Sequence, residues 1–314
     1  MNSSIIKTAL ILIFTLLVIP TITFYMDEGL TELQRNTLQE LACLAFGAAM
    51  LCFTVSELTG NCSQVDKLWS ILPIGYAWYT ASAGQFDSRL VLMAVLVSIW
   101  GARLTYNFSR RGAYKLKFWE GEEDYRWGIL RQNPALQGTW RWRLFNLFFI
   151  SLYQNALILA FTLPMVVVMR YQGQGIGALE MLLAFGYLFF VGVETVADQH
   201  QWNYQNEKHQ RLREGIAPEG EFALGFVHRG LWQIVRHPNY LSEQMIWIIF
   251  YVFSVAASGQ PINWSMAGCL LLLVLFQGSA DFSEGISAGK YPAYAAYKER
   301  AGRFLPKWKT LMGK

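Results

Sequence analysis

The stretch RHPNYLSEQMIWIIFYVFSVAA, Arg236–Ala257, joins a dense polar block to an apolar run. The apolar part, from Leu241 onward, has the composition of a membrane helix. Pro238 suits the first turn of that helix, because its missing N–H is not needed there. Polar and charged side chains are costly to place at the mouth of a membrane helix. We therefore interpret the polar block as a set of groups that contact a ligand.

The composition of the whole chain is that of an integral membrane protein. Of its 314 residues, 54% are hydrophobic and only 15% are charged, whereas a soluble domain carries about 25% charged residues. We predict an all-α, polytopic membrane helical bundle of about 7–8 transmembrane helices, with cytoplasmic loops and a C-terminal interfacial helix. Eight apolar runs approach the length that crosses ~30 Å of hydrocarbon: Ile5–Tyr25, Leu41–Glu57, Leu68–Ala83, Leu90–Phe108, Leu144–Met169, Ile176–Ala197, Leu241–Ala257 and Trp264–Ala280.

The basic residues predict an orientation. With the N-terminus inside, the predicted cytoplasmic segments, together with Lys7, hold 22 of the 26 lysines and arginines, as the positive-inside rule requires. We predict a bacterial inner-membrane protein with both termini in the cytoplasm. The net charge of +4 is then explained by topology and anionic membrane lipids, with no nucleic-acid partner. We expect one integral membrane domain over 1–314, with N-terminal helices over 1–60 and the functional region over 61–306.

In this predicted topology, acidic residues from four helical hairpins lie close to the cytoplasmic side of the membrane. Ionisable groups at membrane depth are expensive unless they are paired or functional, so we expect them to share one pocket that opens to the cytoplasm. They are Glu57, Asp66, Glu194, Asp198, Glu243, Asp281 and Glu284.

Two of these acids lie on one helix face. Glu194 and Asp198 are four residues apart at the end of the sixth run, a spacing that places them side by side. One interpretation is a solvated helix end that pairs with Lys208 or Arg211. The other is a wall of groups that accept the hydroxyls of a ribose or ribitol.

The polar block itself predicts an anion site. The free N–H groups of a helix N-terminus beside Arg236 favour a phosphate. Asn239, Tyr240 and Glu243 share a face and are suited to hydrogen-bonding an amide or a sugar. In the alternative interpretation Arg236 extends to lipid headgroups and His237 is only a helix cap.

The tail and the first half contain further candidates. Tyr294 and Tyr297 lie on an amphipathic segment that is either an interfacial helix or a lid that stacks on a nucleotide base. Arg103 lies in the middle of the fourth run beside Tyr106. A buried arginine requires a carboxylate, so we expect either a structural ion pair with Asp66 or Glu57, or an acid relay at a substrate site.

Several familiar chemistries are absent from the sequence. It contains no Gly-x-Gly-x-x-Gly loop, no Walker loop and no Gly-x-Ser-x-Gly elbow. With four histidines, and without His-Glu-x-x-His or Cys-x-x-Cys spacing, it predicts no metal site and no disulfide. Any chemistry must therefore come from an organic cofactor, or from carboxylates and tyrosines alone.

The spaced motifs resemble the steroid 5α-reductase superfamily, and more narrowly a bacterial DUF1295-type branch of it. The resemblance covers roughly residues 60–306 and predicts that the chain belongs there. The segments that carry it are Val65–Ser70, Trp100–Leu104, Glu123–Trp127, Glu194–Gln199, Gly230–Glu243, Tyr294–Tyr297 and Phe304–Pro306.

This resemblance implies a helical membrane enzyme that binds NADPH at its cytoplasmic side. A hydride would pass from the cofactor to a conjugated carbon–carbon double bond (an enone) in a lipophilic, steroid-like or other lipid substrate that enters from the bilayer. The residues that the resemblance places at the cofactor are Asp198, Asn239 and Glu243, with Arg236, His237 and Tyr240 in the same block. We add Glu194, Gln199, Tyr294 and Tyr297 as further candidate cofactor-binding residues.

The resemblance also implies a catalytic carboxylate and tyrosine that stabilise the developing enolate. Asp66 or Glu57 matches the carboxylate, and Arg103 lies nearby in the predicted bundle. Trp100 occupies the stretch where the tyrosine is expected, which leaves Tyr76 and Tyr106 as substitutes.

Two other functions stay open. The Arg-His-Pro-x-Tyr core also occurs in isoprenylcysteine-type methyltransferases, so a membrane methyltransferase that uses S-adenosylmethionine is the first alternative. The second is a non-catalytic membrane protein that binds a lipid or a nucleotide. The sequence does not define the oligomeric state.

Overall fold

The architecture comes from a computed structural model that describes residues 29–117, 119–217 and 219–307, together with Thr21 and Tyr25. The first predicted span, Ile5–Tyr25, falls outside this description apart from those two residues.

The described part of the chain is helical, as predicted, and contains no β-strand. Its one β-type contact is an isolated parallel bridge between Val235 and Gly302. In chain order the α-helices are α1 Glu32–Thr59, α2 Gln64–Leu68, α3 Leu72–Ala83, α4 Ser88–Ser109, α5 Tyr125–Arg131, α6 Thr139–Phe145, α7 Gln154–Ala160, α8 Pro164–Val168, α9 Ala178–Arg213, α10 Leu231–Ile234, α11 Pro238–Ser258, α12 Met266–Lys290 and α13 Tyr294–Arg300. A π-helical segment, Asn146–Tyr153, joins α6 to α7, and 3₁₀ turns occupy Met169–Tyr171 and Gly220–Phe222.

Local signals define both ends of α1. Thr31 accepts a hydrogen bond from the Gln34 N–H at 3.2 Å, and the Gln34 side chain accepts one from the Thr31 N–H at 3.0 Å. This reciprocal capping box satisfies two N–H groups at the start of the helix. Gly60 ends the helix in the left-handed conformation, with φ of 71°, which glycine adopts at little cost.

Six helical stretches within the described ranges are long and apolar enough to cross a membrane: Glu32–Thr59, Ser88–Ser109, Thr139–Tyr171, Ala178–Arg213, Pro238–Ser258 and Met266–Lys290. The third predicted span, Leu68–Ala83, is not among them. A turn follows α2 and Pro73 starts α3, which has only 12 residues. At 1.5 Å per residue it is shorter than the ~30 Å of hydrocarbon.

The chain divides into two compact units. Unit 1 falls within Met1–Ala184 and Phe250–Leu271, and unit 2 within Phe185–Ile249 and Leu272–Lys314. Each unit is described by itself below.

Close helix packing in unit 1 depends on glycine. A Cβ on Gly101 would lie 2.5 Å from the Ser70 carbonyl oxygen, and one on Gly268 would overlap the Ala160 carbonyl. Neither α4 nor α12 therefore has room for a larger residue at these crossings. Near the other end of α4, Arg89 forms a buried ion pair of 2.8 Å with Glu180.

Candidate functional site

In unit 2, Glu284 is the centre of a buried cluster of charges. It accepts from Arg236 Nε at 2.9 Å and lies 3.1 Å from His237 Nε2. The side chains of Arg236 and Glu284 are only 7% and 2% exposed. Lys298 and Arg303 approach the same carboxylate at 3.2 and 3.4 Å. Four cationic or basic groups therefore balance one buried carboxylate.

A short tail segment, residues 301–303, forms hydrogen bonds with Arg236 and His237, just before the start of α11. The Arg236 N–H donates to the Gly302 carbonyl at 2.8 Å, and the His237 N–H donates to the Arg303 carbonyl at 3.2 Å. The Arg236 guanidinium also donates to the Ala301 carbonyl. We call residues 301–303 the tail strap.

These contacts give Arg236 and His237 a structural role. The Arg236 guanidinium is held by a carboxylate and by backbone carbonyls, so the predicted phosphate contact would require it to leave Glu284. His237 is more than a cap, because it contacts the same carboxylate and stacks on Tyr240 with ring centroids 5.2 Å apart. The sequence pattern marked this block as important, but it did not pair the block with Glu284.

The structure brings two of the predicted cofactor residues into contact, and a third lies one turn away. The Asn239 side-chain amide donates to Asp198 Oδ1 at 3.1 Å, which links α11 to α9. Glu243, one turn further along α11, accepts from the Trp247 indole N–H at 3.0 Å. Asp198 and Glu243 are 7% and 4% exposed. Two buried carboxylates and an amide thus lie at or near the start of α11.

The neighbouring residues on α9 point in different directions. Glu194 is buried, one turn before Asp198. Gln199 is exposed, and its amide donates to Asn203 at 2.7 Å. Because successive residues on a helix are about 100° apart, Gln199 does not share the face of Asp198.

The two predicted lid tyrosines lie in the core of unit 2. Tyr294 and Tyr297 are 5% and 3% exposed and pack around Phe226. The Tyr297 hydroxyl donates to the Trp232 carbonyl, and burial raises the pKa of Tyr294 to about 12. Stacking on a nucleotide base would require these rings to leave the cluster.

In unit 1, Asp66 is half-buried within the short helix α2. Its Oδ2 accepts from the Trp127 indole N–H at 2.8 Å, and the Ser63 side chain also bonds to it. Burial is the main cause that raises the pKa of Asp66, while Arg126 opposes the shift. A carboxyl group of this kind retains a proton more readily than one in water.

The other predicted catalytic residues of unit 1 have different surroundings. Glu57 accepts from Arg143 Nε and from the Asn146 amide, both at 2.9 Å, so a cation and an amide hold its carboxylate. Arg103 is half-buried within α4. Tyr106 is 65% exposed and lies under the Arg110 guanidinium.

Tyr76 is the buried tyrosine of this region. It is 2% exposed, and its hydroxyl has no hydrogen-bond partner among the described residues. It lies close enough to Cys52 for the two to interact electrostatically, as does Asp66. Of the two substitutes named from the sequence, Tyr76 is therefore buried and Tyr106 is exposed.

Comparison with known proteins identifies the family. A family model described as "Protein of unknown function (DUF1295)" matches residues 52–301, most of the chain. The chain belongs to the DUF1295 family. It is also 35% identical over 275 residues to "Uncharacterized protein C594.04c" of the yeast Schizosaccharomyces pombe, an alignment that covers 84% of this chain and 78% of the relative. No solved structure matches the chain.

The DUF1295 region contains the candidate residues of both units. It runs from Cys52 in α1 to Ala301 in the tail strap, and so includes Asp66 and the start of α11. Of the seven predicted acids, Glu57 and Asp66 lie in unit 1 and the other five lie in unit 2.

Proposed function

We propose that this DUF1295 protein is a membrane reductase of the steroid 5α-reductase superfamily. It would use NADPH to reduce the conjugated double bond of an enone in a lipophilic substrate that enters from the bilayer. The single observation that carries the proposal is the Asn239–Asp198 contact beside buried Glu243. The contact joins two residues that the superfamily resemblance places at the cofactor, and Glu243, the third, lies one turn further along α11.

The residues of unit 2 fit the hydroxyl and amide groups of a dinucleotide. Carboxylates accept hydrogen bonds from ribose hydroxyls, and Asp198 and Glu243 are buried carboxylates of this kind. Asn239 supplies an amide between α9 and α11. The predicted phosphate site at the first turn of α11 is poorly supported, because Pro238 has no N–H and the Tyr240 and Leu241 N–H groups already donate to Asn239 Oδ1 and to the His237 carbonyl. In this proposal Arg236 acts indirectly, since its contacts with Glu284 and the tail strap hold the start of α11 in place.

The residues of unit 1 fit the carbonyl end of an enone. NADPH, when bound, would supply the hydride to the double bond. Asp66 retains a proton more readily than an exposed aspartate, and Tyr76 has a buried hydroxyl. Either group is suited to donating a hydrogen bond to the carbonyl oxygen and stabilising the negative charge that develops there. Glu57 is a poorer candidate, because its carboxylate already accepts from Arg143 and from the Asn146 amide.

One observation favours the methyltransferase as the second candidate. The Arg236 guanidinium is committed to Glu284, so the arginine of this block is not available to a phosphate. S-adenosylmethionine has no phosphate, and the buried acids of unit 2 suit its ribose equally well. The choice of cofactor therefore decides between the two functions.

Thermal unfolding of the detergent-solubilised protein tests this choice directly. A ligand that binds only the folded state stabilises it by about 2.7 kcal/mol at a hundredfold excess over its dissociation constant. We expect NADPH to stabilise the protein and S-adenosylmethionine to leave it unchanged. Asn239→Ala should remove most of the NADPH effect.

The matched control is Gln210→Ala, which lies on the same long helix and bonds only locally to Glu214. It should keep the full NADPH response. Stabilisation by S-adenosylmethionine alone would replace the reductase with the methyltransferase. Binding of NADPH without oxidation at 340 nm (the absorbance of the reduced nicotinamide) over a broad enone panel would favour the non-catalytic protein.

A further inference from the structure

Unit 1 contains a group of buried polar atoms that the proposed chemistry does not use. Three of them, Asn146 Oδ1, Ser151 Oγ and Asn155 Oδ1, have no hydrogen-bond partner among the described residues. Each of these residues is at most 1% exposed. Such atoms cost free energy when they are buried without a partner, and in membrane-embedded segments water compensates them poorly. Their concentration in one place indicates that they serve a ligand.

The π-helical segment places these three residues on one face. Its i→i+5 hydrogen bonds put residue i+5 about one turn above residue i, so Ser151 lies near the face of Asn146. Asn155 follows by four residues in regular α-helix, and its amide donates to the Ser151 carbonyl at 2.8 Å. An uninterrupted α-helix would turn Ser151 away, because five residues make about 1.4 turns. π-Helical segments are rare and often lie at functional sites.

The neighbouring helix fixes the direction of both amides. Asn146 Nδ2 donates to Ser56 Oγ at 2.8 Å and to Glu57 Oε1 at 2.9 Å. The Asn155 amide is hydrogen-bonded to Cys52 as well as to the Ser151 carbonyl. With their N–H groups occupied, both side chains must present their oxygens, and an amide oxygen only accepts hydrogen bonds.

The chemistry of the group therefore specifies its ligand. Two fixed acceptors require a donor on the ligand, and a bare ketone has none. The hydroxyls of Ser151 and of nearby Tyr76 can both donate and accept. Apolar residues of the same segments are buried as well, with Ile150 and Leu157 each 1% exposed.

We propose that Asn146, Ser151 and Asn155 form the polar end of a binding site for an apolar molecule that carries a hydroxyl or amide N–H group. If the bound molecule is the substrate, the inference rests on the proposed function, and the enone would carry a separate hydrogen-bond donor besides its carbonyl. As a statement about binding, it stands without the reductase, so it can be tested in the absence of NADPH.

The test compares two probes that differ by one hydrogen-bond donor, 1-dodecanol and its methyl ether 1-methoxydodecane. Each is added at equal mole fraction in the detergent micelle, and thermal unfolding is recorded. We expect the alcohol to raise the unfolding temperature of the wild type and the ether to have a much smaller effect. In Asn155→Leu and Ser151→Ala, roughly tenfold more alcohol should be needed, as expected for the loss of a buried hydrogen bond.

Ser109→Ala is the matched control, since it removes an exposed serine hydroxyl that bonds only to the Tyr106 carbonyl of its own helix. It should keep the wild-type preference for the alcohol. If Asn155→Leu fails to fold, Ser151→Ala decides, because its hydroxyl has no structural partner to lose. Equal shifts by alcohol and ether in the wild type, or an unchanged preference in Ser151→Ala, would overturn the inference. Selective alcohol binding without any response to NADPH would keep this site and remove the reductase.

Discussion

Replacing Glu284 with glutamine tests whether Arg236 has a structural role. The substitution keeps the shape of the side chain and removes the charge that balances Arg236, His237, Lys298 and Arg303. Removing one partner of a buried ion pair destabilises proteins by about 3–5 kcal/mol, and this pair is only 7% and 2% exposed. At roughly 2–4 °C per kcal/mol, we expect the unfolding temperature to fall by about 6–20 °C.

The measurement is thermal unfolding of the solubilised protein without added ligand, with Asp281→Asn as the matched control. Asp281 contacts the same Arg303, but its side chain is 67% exposed, and exposed pairs contribute about 0–1 kcal/mol. Both variants lose one negative charge, but the charge of Glu284 is buried among four partners, whereas that of Asp281 is exposed beside Arg303. Equal, small shifts for the two would refute the structural role of Glu284 and restore Arg236 as a candidate phosphate ligand.

Three further outcomes follow from the geometry. Gly268→Ala should destabilise the protein by about 1–3 kcal/mol, because the added Cβ would overlap the Ala160 carbonyl. Gly47→Ala, whose Cβ meets open space, should not destabilise it. Comparable unfolding temperatures for the two variants would contradict the close approach of Gly268 to Ala160. Burial raises the pKa of Cys62 from 9.0 to about 11, so its alkylation at about pH 8 should be slow in the folded protein and fast after denaturation, as followed by mass spectrometry. Burial raises the pKa of Asp66 above 3.8, so the contribution of this group to folding stability is complete below that pH and is lost as the pH rises through the folded-state pKa. The stability of Asp66→Asn relative to the wild type should therefore increase from about pH 4 upward. Parallel curves of stability against pH for the two proteins would argue against the shift.

Much of the fold could be predicted from the sequence, because membrane helices are specified by composition. The runs that became α4, α11 and α12 were visible from their length and apolar content alone. The third run, Leu68–Ala83, does not form one long helix, because apolar composition does not reveal a turn. The segment Trp69–Ile71 and Pro73 divide it into two short helices, each too short to span.

The candidate site was only partly predictable, because the sequence shows which residues are polar but not which of them pair. Asp198, Asn239 and Glu243 were recognised from motif spacing, and the first two are in contact. The partners of Arg236 and Glu57 were not predicted, since Glu284 and Arg143 are distant in sequence. The acceptor group of Asn146, Ser151 and Asn155 left only a weak signal in the sequence, because polar residues within an apolar run are explained equally well by a helix–helix hydrogen bond.

The tail strap has a consequence for how the protein is made. A membrane helix such as α11 enters the bilayer during synthesis, while the start of this helix is completed by carbonyl groups from residues 301–303. The ribosome must therefore add more than 60 residues after Arg236 before the buried arginine has its full set of partners. During that interval Arg236 and Glu284 remain open to water or to a chaperone. A ribosome that stalls before residue 301 would release a chain with its helices inserted and the start of α11 unfinished, a form that cellular quality control could distinguish from the complete protein.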